Sequence, residues 1–502
     1  MTTLVVRSCG AVAAIIVGLL SVTALSATMA LAGGVVGTGT AASCTDGALD
    51  HALTGGGTVT FNCGGPATID ISTGTGTKTI GANTTIDGGG LITISGGDSV
   101  GVFRVNSGIT FTVNNLTIAN GFAFGGGIEN YGTTTVINCT LSGNRGRSPF
   151  SECSFCGAGG ILYGTGQNPG TTTVTNSTFT GNSGAAGGGI GSEGLAQLQG
   201  ASLLTVTNST FTGNIGAIGG GIGISSSKAT TTVTNSTFTG NNAVGGGVGG
   251  GIGGFGASLT VTNSTFTGNS SGPPLLGVSG GGIGQLGGSL TVTNSTFIGN
   301  SGFSGPNGGD APSGGGIAVG IDVTPPPLLR NTLLANNTPG DNCYGVVTDG
   351  GHNLDDGTSC GFSTANGSLS STDPQFDPAG LQDNGGPTQT IALLGGSPAI
   401  NAGDESICSA PPVNNLDQRG YVRPGTGAAN CSIGAYEADV TAAEVCVGDC
   451  NGDHSVTVDE LVSLVNIALG NPGLCLSGVP TGATVDVSLI ITAVNHALSV
   501  CG

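Results

Sequence analysis

The sequence predicts an all-β fold, a right-handed parallel β-helix (solenoid) with an N-terminal helical cap and a small α-helical module at its C-terminus. Three observations carry this expectation. A unit reading Thr173-Val-Thr-Asn-Ser-Thr-Phe-Thr-Gly-Asn182 returns at 205–214, 232–241, 260–269 and 291–300, with looser copies at 113–121, 135–144 and 329–337. A second motif, Gly-Gly-Ile, falls between the copies and ends at Ile128, Ile161, Ile190, Ile222, Ile252, Ile283 and Ile317. Glycine makes up 101 of 502 residues, tryptophan is absent and charged residues are 7%, yet 37% of the chain is hydrophobic. Disordered chains are rich in charge and poor in apolar residues, so this balance points to a packed, turn-rich β protein.

From the N-terminus, residues 1–32 read as a signal peptide. Arg7 supplies the positive start, Ala11 to Ala27 the apolar run, and Ala30-Leu31-Ala32 a small-residue cleavage site before Gly33. The expectation is a secreted or cell-surface protein with no transmembrane segment after cleavage. Residues 33–100 should hold the cap and first coils. Thr45 to Leu53 reads as a short amphipathic helix covering the open end of the stack, pinned by a Cys44–Cys63 bridge, with strands between Thr58 and Thr93 starting the coils.

Residues 101–340 form the repetitive body. Each unit is rich in Thr, Val and Phe, lacks a helical apolar period and is too short to fold alone. Stacked copies would bury a continuous core, with coils about 4.8 Å apart. The variable spacing of the copies places insertions at one turn. Val174 and Phe179 have opposite strand parity, yet both belong in the core, so a corner must lie between them. Asn176 is the natural corner residue because Asn tolerates the left-handed region. Repetition should stack Asn176, Asn208, Asn235, Asn263 and Asn294 into an amide ladder, and Phe179, Phe211, Phe238, Phe266 and Phe297 into an internal aromatic column. The same asparagines form Asn-Ser-Thr sequons; the corner role explains them without sugar.

Residues 341–440 continue the coils and then change character. Asn384-Gly-Gly-Pro-Thr-Gln-Thr390, Gly396-Ser-Pro-Ala-Ile-Asn-Ala-Gly403, Asp417-Gln-Arg-Gly420 and Cys431-Ser-Ile-Gly-Ala-Tyr-Glu437 occur in that order. Together with Ser43-Cys44-Thr45 and Phe61-Asn62-Cys63 they resemble exported bacterial β-helix proteins of the choice-of-anchor Q type. That resemblance implies cell-surface or secreted placement and no particular reaction. Asp417, Arg419, Arg423 and Glu437 concentrate charge in a nearly uncharged chain, where pairing would order the C-terminal end. Export and fourteen cysteines imply disulfides. Cys44 with Cys63, Cys343 with Cys360 and Cys408 with Cys431 are the local pairings. Cys446, Cys450, Cys475 and Cys501 serve the tail, and Cys139, Cys153 and Cys156 cannot all pair.

Residues 441–502 carry a loop with EF-hand spacing, and the segment resembles a dockerin-like module with one intact and one degenerate calcium loop. Calcium takes hard oxygen ligands at positions 1, 3, 5, 7, 9 and 12. Asp449, Asn451, Asp453, Ser455 (through its carbonyl), Thr457 and Glu460 occupy them, so one calcium site is expected. His454 stands at the sixth position, where glycine normally makes the turn. The second half, Val485 to Leu498, aligns with Val456 to Leu469, but Gly478, Pro480, Gly482 and Leu489 replace the ligands, so it should bind no ion.

The function classes narrow accordingly. A formal charge of −19 repels phosphate and excludes nucleic acid as an expected partner. Catalysis on a polysaccharide needs clustered carboxylates, or carboxylates beside a base. Between residues 100 and 335 the ionisable acids and bases are Arg104, Glu129, Arg145, Arg147, Glu152, Glu193, Lys228, Asp310, Asp322 and Arg330. Glu129 and Glu152 with Arg145 and Arg147 are the nearest approach to a cluster, so no catalytic residue is assigned. The four histidines, His51, His352, His454 and His496, form no triad pattern. The reading is a secreted or cell-surface structural or adhesive protein that contacts glycans. Its calcium-stabilised tail docks to a surface or cohesin-like partner. The alternative is a polysaccharide-active lyase or hydrolase on the same scaffold.

Overall fold

The computed structural model describes residues 33–147, 157–164, 169–192, 201–273, 277–303, 313–320, 323–438, 447–451, 455–469, 475, 478–479 and 485–498. The expected signal peptide, Glu152, Cys153, Cys156, Glu193, Asp310, Asp322, Asp453 and His454 lie outside them.

Each coil of the body runs through the same elements. A five-residue strand such as Thr171–Thr175 is followed by a corner at Asn176, then a short strand Thr178–Thr180. A two-residue strand Ser183–Gly184 and a glycine-rich crossing lead to Ile190–Ser192. Every strand pairs in parallel with its counterpart in the next coil. Val113, Val136, Val174, Val206, Val233, Val261 and Val292 fall in one line. The isoleucines from Ile128 to Ile317 fall in another. The chain thus builds a long-strand sheet, a short-strand sheet continuous with it around the Asn corner, a narrow third sheet and a Gly-Ile sheet.

The corner asparagines adopt the left-handed region, with φ between 45° and 51° from Asn115 to Asn331. This bend lets Val174 and Phe179 both turn inward, and both are fully buried. The phenylalanine column is present from Phe179 to Phe297, with ring centroids 4.6–4.7 Å apart and planes within 6° of parallel. The glycines of Gly-Gly-Ile are sized by these rings. A Cβ at Gly189, Gly221 or Gly251 would come within 2.8–2.9 Å of the ring on the next coil.

The amide ladder is not where the sequence placed it. The side-chain oxygens of Asn176, Asn208, Asn235 and Asn263 have no hydrogen-bond partner. The bonded ladder belongs to the last residue of each unit: Asn144, Asn182, Asn214, Asn241, Asn269, Asn300 and Asn337. Each Nδ2 donates to the Oδ1 above it at 2.7–3.0 Å, ending on Asn342. The second Nδ2 hydrogen reaches a carbonyl of the preceding coil, as from Asn214 to Phe179. The physical reason is geometry. Asn182 and its counterparts are enclosed with Nδ2 of one facing Oδ1 of the next, whereas the corner oxygens from Asn176 to Asn263 are buried without a partner, and corner amides bond one another at the ends of the run, Asn138 to Asn115 and Asn331 to Asn294. The serine after each corner forms a further ladder: the backbone N–H of Ser177 donates to Ser209 Oγ, and that of Ser209 to Ser236 Oγ. Each letter of the Asn-Ser-Thr triplet therefore has its own place, as corner, inward hydroxyl and outward hydroxyl.

At the N-terminal end, helix α1 (Asp46–Leu53) covers the stack, capped by Thr45 Oγ1 accepting from Ala48 N–H. The stack begins before this helix, because Val35–Val36 pairs with Thr60 and Phe61. Lys78, 2% exposed, reaches from the first coils to Asp46 and Asp50 of α1. The Cys44–Cys63, Cys343–Cys360 and Cys408–Cys431 bridges are formed. Cys139 is free and buried.

Beyond the last coils, residues 384–437 turn back along the outside of the stack as a strap. The strap lies on the Asn–Thr columns of the short-strand sheet. Thr237 Oγ1 donates to Gln389 O, Asn263 Nδ2 to Leu416 O and Thr265 Oγ1 to Gln418 Oε1, at 2.6–2.9 Å. Further along, Asn331 Oδ1 accepts from Asp404 N–H. Helix α2 (Glu405–Cys408) sits within this segment. Among the described residues no helix is long and apolar enough to cross a membrane.

Candidate functional site

The tail places two helices, α3 (Val458–Ala468) and α4 (Val487–Leu498), around a small core of Val447, Leu464 and Ala493. A Cys450–Cys475 bridge joins the two halves. Glu460, at position 12 of the expected calcium loop, is 7% exposed, and Asp449, at position 1, is 3% exposed. Glu460 Oε1 accepts from the backbone N–H of Cys450 and Asn451 at 3.0 and 3.2 Å. Its Oε2 accepts from Thr457 N–H and Oγ1, both at 2.8 Å; the N–H bond, with the Thr457 side chain accepting from Glu460 N–H, makes the capping box that starts α3. Glu460 therefore draws the backbone at Cys450, at position 3 and at position 9 to one end of α3, and buried carboxylates with neutral oxygens are the donor chemistry calcium takes. Of the expected ligands, Asp449, Asn451, Ser455, Thr457 and Glu460 are described.

The second half uses its equivalent of position 1 for packing. Gly478 O accepts from Gly448 N–H at 2.9 Å, and a Cβ at Gly478 would come within 2.5 Å of Asp449 N. The position that would hold the first carboxylate is used to pack one half against the other. Leu489, in place of the second glutamate, packs on the Leu464 cluster.

On the coils, the structure pairs Glu129 with Arg104 rather than with Arg145 or Arg147. Arg104 Nε lies 3.8 Å from Glu129 Oε2, Tyr131 OH donates to Glu129 Oε1, and the Arg104 guanidinium lies 5.1 Å from the Tyr131 ring centroid. Glu129 is 8% exposed. Arg145 and Arg147 instead stack on Phe122. Sequence reasoning missed this trio because Arg104 and Glu129 meet only through the register of Phe103–Val105 with Ile128–Asn130.

The strap charges form a buried network. Arg419 and Asp417 pair at 2.6 Å. Arg423, fully buried, donates to Ser432 O, Gly434 O and Glu437 Oε2. Burial, set against the Glu437 and Asp417 charges, lowers the Arg423 pKa from its usual value. The network joins strap segments, in keeping with an ordering role. Glu405, Cys408 and Cys431 could by position hold a metal, but both sulfurs are joined in a disulfide. His352 and His496 each bond a backbone carbonyl through Nδ1.

Residues 193–368 match the model of the right-handed β-helix region family. No curated protein matches. Among solved structures, one described as the crystal structure of pectate lyase Pel9A is similar at 17% identity and a TM-score of 0.41, over 76% of this chain and 88% of that one. The coil register and the family match agree on an all-β chain built on a right-handed parallel β-helix.

Proposed function

We propose that this chain is an exported rod that serves at or outside the cell surface as a structural or adhesive protein contacting neutral glycans. Its tail is a calcium-stabilised module for docking or attachment to a surface or cohesin-like partner. The carrying observation is the short-strand face. From Thr237 to Asn331 the strap occupies its Asn and Thr side chains through hydrogen bonds along the stack. From Thr117 to Thr212 the same kinds of residue continue in register with no described segment over them. This face offers hydroxyls and amides without charge, which suits a neutral polymer better than an anionic one. Four disulfides among the described residues support an oxidising, extracellular setting.

A glycan array with the full chain, beside Thr180→Lys with Thr212→Lys, tests the contact. Binding to neutral glycans that the double variant loses supports it; no binding to any glycan removes it. For the tail, calcium raises the melting temperature of its transition and Asp449→Ala abolishes the shift. An unchanged melting curve with calcium or with chelator overturns the ion assignment.

The Glu129–Arg104–Tyr131 trio favours a second reading, a polysaccharide-active enzyme. A carboxyl group beside a phenol and a guanidinium can move protons on a sugar. Reducing-sugar and unsaturated-product assays decide this: turnover that Glu129→Gln abolishes would put the enzyme reading first.

A further inference from the structure

The outer face of the long-strand sheet is a second surface, separate from the short-strand face and independent of the glycan reading. From Thr58 through Thr112, Thr173 and Thr232 to Thr291, every rung carries threonine at the same central position, each paired in register with the next. A second column, two residues along each strand, is threonine from Thr175 to Thr293. The intervening valines, Val174, Val206 and Val233, are fully buried and hold each strand to the core. No acid or base stands in either column between Thr112 and Thr293.

From Thr173 onward this array is flat and periodic. The phenylalanine rings of the same coils, Phe179 to Phe297, repeat at 4.6–4.7 Å with planes within 6°, so these coils are translated with almost no rotation. Sheets of many strands ordinarily twist by tens of degrees per strand pair, roughly 20–25°. Within a rung, alternate residues stand about 6.6 Å apart. Threonine is stiff at χ1, so each hydroxyl and methyl is fixed before any ligand arrives.

We propose that this face binds the surface of ice. Its ligand must be flat, uncharged and periodic in two directions, with groups that both donate and accept hydrogen bonds, as threonine hydroxyls do. Ice meets each condition, and the lateral repeat of oxygen atoms in hexagonal ice lies close to the coil repeat. The neutrality of the face matches a neutral lattice. A dissolved chain would meet one column at a time, whereas a crystal face meets all of them, and many weak contacts on a rigid partner add up. Neither column carries an aromatic anchor of the kind a protein partner would use. The strap reaches the edge of the array at the buried Thr262 and Thr293, and Asp87 enters the second column on the rung of Thr85, so the open uncharged lattice runs from Thr112 to Thr232.

Slow freezing of a dilute solution of the full chain, with protein measured in the ice and in the remaining liquid, tests this. The wild type is expected to enrich in ice and to slow ice recrystallisation. Thr205→Gln with Thr232→Gln should lose both effects while keeping the wild-type circular dichroism and melting curve. Ile215→Gln with Val244→Gln, exposed on the narrow third sheet and just past the end of its Asn242–Ala243 strand, should keep them. Single Thr173→Gln and Thr205→Gln variants replace the double variant if it fails to fold. Exclusion of the wild type from ice, equal partitioning of the folded array variants, or binding through this face to an insoluble glycan but not to ice each overturns the proposal.

Discussion

Between Thr171 and Asn300 the chain carries only Glu193 and Lys228 as charged residues, whereas the strap from Asn384 to Glu437 buries Asp417, Arg419, Arg423 and Glu437 together. Both regions enclose polar groups. The coils do so by repetition: each Asn of the bonded ladder, each serine and each phenylalanine meets its own kind one coil away. The strap has no repeat to rely on, so it uses unique charge-assisted bonds and the Cys408–Cys431 bridge. Repetition makes a fold that tolerates insertions at its turns; a single unique network makes one that depends on every member. The largest expected effect follows from this difference. Arg423→Ala leaves Glu437 buried without its cation and should destabilise the strap by about 3–5 kcal/mol. Hydrogen exchange should then show strap amides opening while amides of coils 171–230 stay protected. Loss of protection in both would mean that the two regions form one cooperative unit.

Phe238→Ala tests the coils. Removing one ring from the middle of the column should cost about 3–5 kcal/mol, read from denaturant unfolding. A smaller effect comes from the corners. Asn208 has φ 50°, so Asn208→Ala should cost about 1–2 kcal/mol while Asn208→Gly is nearly neutral. If both cost the same, the side-chain amide rather than the backbone shape is what matters there.

Acid should act on the two ends before the middle. Burial alone would raise Asp349, but N–H and O–H donors from Ser363, Ser368, Asn353 and Gly351 outweigh it and hold the carboxyl below its usual value. At Asp50 burial is likewise opposed and outweighed, by Lys78 and Thr75. Both folded pKa values are depressed, so the stabilisation is present above the unfolded value near ~3.9 and is lost as pH falls through the folded values. Melting curves between neutral and acid pH should show a decline only below about pH 4, which Asp349→Asn and Asp50→Asn flatten. The smallest effect is chemical. Burial pushes the Cys139 thiol to about 12, so a thiol reagent should leave it unmodified until the chain unfolds.

Much of this architecture was legible in the residues. The parity conflict between Val174 and Phe179 called for a corner, and Asn176 could supply it. The phenylalanine column, three disulfides and cap helix α1 were expected and are present. The ladder was misplaced by one corner, because the pattern cannot tell which of two repeated asparagines faces its counterpart on the next coil. Asn182 does and is bonded to it; the buried side-chain oxygen of Asn176 has no partner. For the tail, spacing gave Asp449, Asn451, Asp453, Ser455, Thr457 and Glu460 as an expected ligand set, while the packing of Gly478 against Asp449 emerged only in three dimensions. The Arg104–Glu129–Tyr131 trio could not be foreseen, since its members meet through coil register and not through spacing.

By itself the sequence determined the repeat, its strand character, its corners and its near-absence of charge, because local residue preference and periodicity fix these within a few residues. Only the tertiary structure decided the path of the strap, the partner of Glu129 and the flatness of the threonine face. Each of these depends on which coils lie beside which, and on how little one coil rotates over the next, a long-range outcome of packing that no local stretch encodes.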